Sequence, residues 1–364
     1  MRKRAALLTL IALVAFLAGP SCVTMRTARP ARDVFPGVEW DRIWAPRQAG
    51  WSGEGLAAVV EHVKTLPTTG LVVVAGGRVL LDYGDVAELS YLASVRKSVL
   101  AMLFGSYVAS GRIRLDRTLA ELGISDHGGL MPEELEATVA DLLSARSGVY
   151  HPASNAGDNL ADAPPRGSQK HGAYFLYSNW DFNALGTIFE KETGRNIYDA
   201  LETDLARPVG MQDFKREAQM KSGDLTKSVH PAYHIWLSTR DMARLGYLML
   251  RKGNWAGKQI MPREWIERIT APVTRLPDMN PPFMREGRVG YGHLWWVFDG
   301  PWAQGPYEGA FTGMGAGGQY ITVLPKLDLV VAHKTNLART QNKSVSGRQY
   351  FELLDKLVAA RLAR

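Results

Sequence analysis

Short apolar runs separated by turn residues lie towards both ends of the sequence. Residues 71–75 and 78–84 flank Gly76-Gly77, and this pattern predicts two strands joined by a tight turn. Residues 318–325 and 327–333 predict a second pair of strands, with a turn at Pro325-Lys326. We therefore expect strands from both ends of the chain to share one sheet.

Apolar residues at helical spacing occupy most of the remaining sequence. They predict a helix that begins at Ser94 and continues through residues 99–108, and further helices over residues 55–66, 132–146, 183–192, 236–251 and 346–362. Ser238, three residues before Asp241, predicts a helix N-cap. Residues 151–171 form a polar loop of a length that is usually functional or disordered.

This order of elements predicts an α+β fold, with an antiparallel sheet built from N- and C-terminal strands, flanking helices and an inserted, mostly helical lobe. The predicted boundaries are a signal peptide over residues 1–22, a tether over 23–47, an α/β domain formed by 48–115 and 230–364, and a helical lobe over 116–229.

The first residues have the pattern of an export signal. Arg2, Lys3 and Arg4 precede an apolar run over residues 5–18, which is short for a membrane-spanning helix. Cys22 is the only cysteine, so an intramolecular disulfide is excluded, and its position suits lipid attachment after cleavage. We expect an exported protein of the bacterial cell envelope, either periplasmic or tethered to a membrane by a lipid anchor at Cys22. Plain secretion and an uncleaved anchor are the alternatives.

Composition narrows the range of partners. The chain has 364 residues, of which 46% are hydrophobic and 22% charged, as in an ordinary globular protein with enough apolar material for a core. Loss of Arg2, Lys3 and Arg4 would lower the formal charge from +7 to +4, and no Lys/Arg-rich run with interleaved aromatics follows, so nucleic acid is not an expected partner. Pro231 lies between His230 and His234, which argues against a metal site at these two histidines. No metal or other cofactor is expected.

The candidate chemistry centres on Ser94 and Lys97. In a helix that begins at Ser94, the three-residue spacing places the hydroxyl and the ammonium on one face, one turn apart. A serine hydroxyl is a weak nucleophile until a neighbour takes its proton, and a lysine can do so when it is desolvated or lies near another cation. The helix start also offers N–H groups to an oxyanion. Because such quartets arise by chance, the assignment depends on residues elsewhere.

Two other motifs could join them. Tyr177-Ser178-Asn179 follows the polar loop, and Lys97 could help this phenol, with an ordinary pKa of about 10, to lose its proton; the alternative is a loop tyrosine with a helix-capping asparagine. Residues 313–318 enter a predicted strand, so they do not fit a dinucleotide-binding loop. Their glycines would allow close backbone approach by a ligand and an N–H donor to an oxyanion, or would form a β-bulge.

The remaining candidates are weaker. Tyr150 and His151 begin the polar loop and are expected to help shape a pocket. Trp295 is a candidate for lining a pocket, although core packing is favoured for both Trp295 and Trp296. Lys334-Thr335-Asn336 is interpreted as a turn at a strand end. The sequence has no Gly-x-Ser-x-Gly elbow, which argues against an α/β-hydrolase.

With Ser-x-x-Lys, Tyr-x-Asn and a glycine-rich strand entry in this order, the sequence resembles the β-lactamase-related serine hydrolases. These include class C β-lactamases, D-alanyl-D-alanine peptidases, esterases and nylon-oligomer hydrolases. The likeness runs from about residue 71 to 336 and includes residues 142–148, 177–186, 238–244 and 317–319. It implies a β-lactamase/transpeptidase-like fold and hydrolysis of an ester or amide through an acyl-enzyme.

The resemblance also implies roles for individual residues. Ser94 would be the acylated nucleophile, Lys97 its proton acceptor or electrostatic partner, and Tyr177 the general base or acid. Asn179 would orient Lys97 or the substrate. The N–H groups of Ser94 and of Ala316, which follows Gly315, would form the oxyanion hole.

One motif departs from the family pattern. Gly313-Met314-Gly315 stands where the family has Lys-Thr-Gly or His-Thr-Gly, whose cation helps β-lactamases and peptidases to hold a substrate carboxylate. Its absence favours a neutral small-molecule ester or amide as substrate. The alternatives are a penicillin-recognising enzyme acting on β-lactams or cell-wall peptides and, in a different class, an inactive cell-envelope binding lipoprotein.

Overall fold

A computed structural model describes residues 33–362. The predicted signal peptide, Cys22 and the first part of the tether lie outside the described residues. A seven-stranded sheet has the strand order β2-β1-β13-β12-β11-β10-β9, and its neighbouring strands are antiparallel. The strands are β1 (Gly70–Ala75), β2 (Arg78–Gly84), β3 (Ser90–Tyr91), β4 (Met220–Ser222), β5 (Ala232–His234), β6 (Trp236–Leu237), β7 (Asn254–Trp255), β8 (Lys258–Gln259), β9 (Val289–Tyr291), β10 (Trp296–Phe298), β11 (Phe311–Gly315), β12 (Gln319–Leu324) and β13 (Leu329–Lys334).

Ten α-helices lie within the described residues. They are α1 (Gly53–Lys64), α2 (Val95–Ala109), α3 (Leu119–Leu122), α4 (Pro132–Leu135), α5 (Val139–Leu143), α6 (Asn179–Thr193), α7 (Ile197–Ala200), α8 (Thr239–Leu250), α9 (Arg263–Ile269) and α10 (Gly347–Ala359). Within residues 33–362, no helix combines the length and the apolar content needed to cross a membrane.

The sheet joins the two ends of the chain directly. Gly76 and Gly77 have φ values of 56° and 79°, and their left-handed conformation closes the predicted turn between β1 and β2. On its other edge β1 pairs with β13, in a register that places Val72 opposite Ala332. The predicted α+β architecture is therefore confirmed. The division into an α/β domain and a helical lobe stays a prediction, although α3 to α7 do lie between β3 and β4 in the chain.

Successive side chains of β1 point to opposite faces of the sheet, and each face carries one cluster of core residues. Val72 and Val74 belong to a cluster that includes residues of α2, α6 and α8, whereas Leu71 and Val73 belong to a cluster that includes residues of α1 and α10. This division follows from the period-2 geometry of a strand. The sheet thus lies between two helical layers, and α2, which begins beside Ser94, belongs to the first.

Local hydrogen bonds explain where the predicted helices differ from the observed ones. The expected helix over residues 132–146 is broken, because the Thr138 hydroxyl accepts from the Asp141 N–H and caps a new helix, α5. The Ser238 cap is confirmed, since its hydroxyl accepts from the Asp241 N–H at 3.2 Å. The helix after it begins at Thr239, later than predicted, because residues 236–237 pair with β3 as strand β6.

Candidate active site

The turn between β3 and α2 presents Ser94. The Leu92 N–H donates to the carbonyl of Ile235, the residue between β5 and β6, at 3.0 Å, which anchors the turn to that segment. Ala93 has a φ of 47°, a left-handed conformation that costs free energy in an alanine. Ser94 is the N-cap residue of α2, so the predicted helix start is confirmed. Its hydroxyl therefore lies at the first turn of a buried helix, with Lys97 one turn further on.

The structure brings Ser94, Lys97 and Tyr177 together. Lys97 Nζ lies 3.0 Å from Ser94 Oγ and 2.7 Å from Tyr177 Oη, and it donates a hydrogen bond to each oxygen. The same nitrogen lies 4.2 Å from the centre of the Tyr177 ring and 4.4 Å from that of the Phe182 ring. Only 2% of Lys97 is exposed. The amine thus joins the serine and tyrosine hydroxyls within a largely dry, aromatic environment.

Burial sets the protonation states of this group. It lowers the pKa of Lys97 well below the ordinary 10.5; the nearby charge of Arg96 lowers it further, and Asp158 opposes both. Burial raises the pKa of Tyr177, although a hydrogen bond to Ser94 and the charge of Arg96 act against this rise. The two shifts act towards a neutral amine and a protonated phenol. Lys97 can then accept the Ser94 proton, while Tyr177 has a proton to give.

Arg96 is a buried cation that the sequence reasoning did not single out. It is 1% exposed, donates from Nη2 to Asn183 Oδ1 at 2.9 Å and lies 4.3 Å from the centre of the Tyr233 ring. Among the described residues, Nη1 of Arg96 has no hydrogen-bond partner. The available signal was a basic residue inside the Ser-x-x-Lys quartet at the start of an apolar helix. Its charge is one cause of the low pKa of Lys97.

Gly315, the last residue of β11, allows the end of this strand to approach Ser94. A Cβ atom on Gly315 would lie 2.5 Å from the Leu92 carbonyl oxygen and 3.2 Å from the Ser94 nitrogen. A side chain here would therefore displace the strand or the turn. Gly315 and Ala316 border the same cavity as Ser94, as the oxyanion-hole hypothesis requires.

This cavity, the Ser94 cavity, has a volume of about 430 Å³. Its walls are mostly uncharged and comprise Ser94, Gly157, Asp158, Asn159, Tyr177, Met284, Trp296, Met314, Gly315, Ala316, Gly317, Gly318, Tyr320, Ser344, Val345, Ser346 and Gly347. Within this lining, drawn from the described part of the chain, Asp158 is the only charged residue. Its Oδ2 accepts from the Asn179 N–H at 3.0 Å, so the carboxylate also caps α6.

Asn179 contacts the loop that closes over the start of α6. Its Nδ2 donates to the Ala156 carbonyl at 2.9 Å, whereas Lys97 is bonded to Ser94 and Tyr177. Asn179 therefore positions the segment that carries Asp158, and its side chain has no hydrogen bond to Lys97 in the structure. Asp158 and Asn159 were missed as cavity residues because the only signal was the length and polarity of the predicted loop.

Three expected pocket residues lie outside the Ser94 cavity. Tyr150 is only 5% exposed, and both ring nitrogens of His151 bond to backbone carbonyls, those of Pro152 and His127. Trp295 is fully buried, and its ring packs edge-on against Phe311 at 5.3 Å. The cavity is lined instead by Trp296, because successive residues entering β10 point to opposite sides.

Comparison with known proteins gives concordant results. Residues 56–354 match the family described as Beta-lactamase. A 6-aminohexanoate-dimer hydrolase from Paenarthrobacter ureafaciens is 25% identical over 314 residues, which cover 79% of this chain and 77% of that protein.

Solved structures share the fold at lower sequence identity. A penicillin-binding protein homologue from Caulobacter crescentus has a TM-score of 0.59 at 18% identity, with 85% of this chain and 99% of that chain covered. A family VIII carboxylesterase has a TM-score of 0.60 at 15% identity, with 84% and 96% covered. The predicted β-lactamase/transpeptidase-like fold is confirmed.

Proposed function

Because this chain belongs to the beta-lactamase family and is a serine hydrolase, we propose that it cleaves an ester or amide through a covalent acyl-enzyme on Ser94. The observation that carries the proposal is the hydrogen-bonded set formed by Ser94, Lys97 and Tyr177 at the edge of an open cavity. Each group has a neighbour that can take or supply a proton, as nucleophilic catalysis requires.

Acylation begins at the Ser94 hydroxyl. Neutral Lys97 takes the proton from Oγ across 3.0 Å as Oγ forms a bond to the substrate carbonyl carbon. The carbonyl oxygen becomes an oxyanion, which the N–H groups of Ser94 and Ala316 stabilise. When the intermediate collapses, the bond to the leaving group breaks and Tyr177 Oη protonates that group. The Lys97 ammonium returns a proton to Tyr177 across 2.7 Å.

Deacylation uses the same groups in the reverse direction. Water enters from the cavity and gives a proton to the Tyr177–Lys97 pair as its oxygen bonds to the acyl carbon. The second tetrahedral intermediate then releases Ser94 Oγ, which takes that proton back. The products are a carboxylic acid and the free hydroxyl of Ser94, so the cycle closes without any cofactor.

The charge of the Ser94 cavity supports a neutral substrate. Asp158 is its only charged lining residue in the described chain, and Met314 and Gly315 line it in the segment that resembles the Lys-Thr-Gly or His-Thr-Gly motif of the family. A substrate carboxylate would meet a negative charge and no partner there. We therefore place neutral esters or amides ahead of β-lactams and cell-wall peptides. Rapid nitrocefin hydrolysis or a stable penicillin adduct would reverse that order.

The test of the proposed nucleophile is the Ser94→Ala change, with p-nitrophenyl acetate as substrate. We expect kcat to fall by roughly 10³-fold or more, because the acyl-enzyme cannot form. Ser98→Ala is the matched control: Ser98 lies on the same helix, but its hydroxyl donates to the Leu294 carbonyl at 2.7 Å, away from Lys97. We expect the control to keep activity within about threefold.

Two outcomes would contradict the proposal. Ser94→Ala turning over the ester at the rate of the unchanged protein would remove the assignment of the nucleophile. If the unchanged protein neither hydrolysed esters and amides nor reacted with a fluorophosphonate probe, the non-catalytic binding role would be favoured instead. Intact-mass measurement after incubation with ester, amide and β-lactam panels would identify which acyl group is added at Ser94.

We also propose that the chain is exported and carries a lipid at Cys22. The support is the order of a basic start, an apolar run and small residues before Cys22. Expression of the full chain in a bacterium should give a membrane-associated protein that incorporates labelled palmitate. Cys22→Ser should abolish the label. If the unchanged protein incorporates no palmitate, simple secretion is the better description.

A further inference from the structure

A second cavity lies immediately beyond the proposed oxyanion hole. Its volume is about 350 Å³, within the roughly 300–1,000 Å³ typical of small-molecule pockets. Its lining is mostly apolar and consists of Leu89, Ser90, Tyr91, Ala93, Trp236, Ala316, Gln319, Thr335, Asn336, Leu337 and Ala338. Ala316 borders both this cavity and the Ser94 cavity, and Ala93 directly precedes the nucleophile. A substrate held at Ala316 can therefore reach both spaces.

One wall is aromatic and fixed by its neighbours. The Tyr91 and Trp236 rings lie 5.4 Å apart, and Tyr91 Oη lies 2.8 Å from His234 Nδ1. Burial lowers the pKa of His234 to about 4, so the imidazole is neutral near pH 7 and can accept the Tyr91 hydrogen bond. Tyr91 nevertheless remains 38% exposed. An aromatic surface that is rigid but open to solvent suits a ligand's apolar group better than core packing.

The opposite wall is also held in place. Leu337 and Ala338 follow β13, and the Asn336 N–H just before them donates to Thr69 Oγ1 at 2.9 Å. The Asn336 side chain donates to Glu88 Oε1 at 3.0 Å. These two bonds fix Asn336, the residue directly before Leu337 and Ala338. The space is therefore formed before any ligand binds, and binding requires little ordering of the protein.

The position of Tyr177 decides which half of a substrate enters this space. Tyr177 borders the Ser94 cavity but not the second cavity. In the proposed reaction the leaving group takes a proton from Tyr177, so it must lie in the Ser94 cavity. The acyl group is the half that can extend past Ala316.

We infer that the second cavity is an acyl pocket, which binds an apolar acyl group of several carbons or an aryl ring between Tyr91 and Leu337. This inference rests on the proposed acyl-enzyme at Ser94 and adds the class of acyl group that the enzyme selects. The acyl pocket has no charged lining residue among those described, so it favours hydrocarbon over charged acyl groups.

The first measurement is a series of p-nitrophenyl esters that share one leaving group. We expect kcat/KM to rise from acetate through butyrate to hexanoate by about fourfold per buried methylene, and phenylacetate to exceed acetate by tenfold or more. A flat or falling series in the unchanged protein would overturn the inference.

The second measurement fills the acyl pocket. Ala338 is an exposed residue on its rim, so Ala338→Phe should fold normally while occupying the space. We expect the preference for hexanoate and phenylacetate over acetate, taken as the ratio of their kcat/KM values, to fall by tenfold or more. The control is Ala57→Phe, at an exposed position of α1 on the far layer. It should leave the whole series unaltered.

The failures of the two proposals are distinguishable. If acetate hydrolysis depends on Ser94 but Ala338→Phe keeps the full preference for long acyl groups, the acyl pocket is wrong and the acyl-enzyme stands. If Ala338→Phe instead changes the preference among acetate esters of different alcohols, the cavity holds the leaving group, and the inference is overturned. If acetate hydrolysis does not depend on Ser94, the proposed function itself has failed.

Discussion

At the scale of single residues, Lys97 illustrates how burial changes the chemistry of a side chain. A lysine with the ordinary pKa of 10.5 is an ammonium at pH 7 and cannot accept a proton from Ser94. Burial is the largest cause of its lowered pKa, and the charge of Arg96 is the second. The Ser94 and Tyr177 oxygens lie within hydrogen-bond distance of this amine, at 3.0 Å and 2.7 Å. The proposed base is thus a lysine whose pKa is lowered by its surroundings.

Removal of the Arg96 charge should alter the pH dependence of the reaction. Because neutral Lys97 is the proposed base, kcat/KM for p-nitrophenyl acetate should rise with pH as Lys97 loses its proton. Arg96→Gln removes the neighbouring positive charge, so the pKa of Lys97 rises and the rising limb moves to higher pH. Arg96→Lys keeps the charge and should leave that limb close to its original position. Profiles of kcat/KM measured from about pH 5 to about pH 9 would test this. If Arg96→Gln leaves the rising limb where it is in the unchanged protein, Arg96 does not set the pKa of Lys97.

Asp158 should control which charges a substrate can carry. Asp158→Asn removes the negative charge but keeps an oxygen that can accept from the Asn179 N–H. We expect kcat/KM for 4-carboxyphenyl acetate, whose leaving group carries the negative charge, measured against that for the neutral 4-carbamoylphenyl acetate, to improve by about tenfold. The change also affects Lys97, whose pKa Asp158 raises, but equally for both esters. The ratio is therefore the decisive quantity, and an unchanged ratio would leave Asp158 as a helix cap alone.

At the scale of elements, Lys334 connects the main sheet to the strand that leads into Ser94. It is the last residue of β13 and 1% exposed, and its Nζ lies 2.6 Å from the Ser90 carbonyl and 2.5 Å from the Leu237 carbonyl. Those two residues are themselves paired, as part of β3 and β6. A single buried amine therefore holds a two-residue ladder, too short to be stable alone, against the sheet.

Lys334 should give the fold a specific dependence on pH. Burial lowers its pKa from 10.5 to about 7, so between these values the unfolded chain binds a proton that the folded chain does not. The free energy of unfolding should therefore rise with pH through this window and be lowest, with respect to this group, below about pH 7. Lys334→Met lacks the titrating amine, and its free energy of unfolding should rise less. Urea unfolding of both proteins at about pH 7 and about pH 10 gives the comparison, and equal gains would contradict the assignment.

The elements that the sequence predicted well are those with a strong local signal. The β1–β2 hairpin has a Gly-Gly turn, and α10 has a long amphipathic repeat that begins at the Ser346 cap. Strands β9 and β10 each have three residues, too few to show a period, and they exist because they pair with each other and with β11. Local sequence therefore predicts β1, β2, β12 and β13 better than the strands at the β9 edge of the sheet.

At the scale of the whole molecule, the candidate site was predictable in its covalent chemistry but not in its surroundings. Ser94, Lys97 and Tyr177 stand in recognisable motifs, and the fold places Lys97 Nζ 3.0 Å from Ser94 Oγ and 2.7 Å from Tyr177 Oη. Asp158 and Trp296 enter the Ser94 cavity through a loop fold and a strand register that no local pattern determines. Tyr150 and His151 were expected there because of their position in the chain, but neither of them lines the cavity.

Tyr177 and residues of α2 belong to the core cluster on one face of the sheet, and residues of α1 and α10 belong to the cluster on the other face. Leu354 on α10 is fully buried in the cluster on the face away from α2. In α10 and the segment just before it, the residues that border the Ser94 cavity are 344–347, so the rest of the helix lies away from the cavity. Damage deep in this helical layer should therefore change stability without changing the geometry at Ser94.

Leu354→Ala tests this separation. We expect the free energy of unfolding to fall by about 2–5 kcal/mol, because the change removes buried methyl groups and leaves a cavity. At temperatures where the variant stays folded, kcat/KM for p-nitrophenyl acetate should equal that of the unchanged protein. Glu352→Ala, an exposed position on the same helix, should alter stability by no more than about 0.5 kcal/mol. A folded Leu354→Ala protein with a large loss of kcat/KM would mean that α10 positions the cavity wall along its whole length, so that the two layers of this fold act as one.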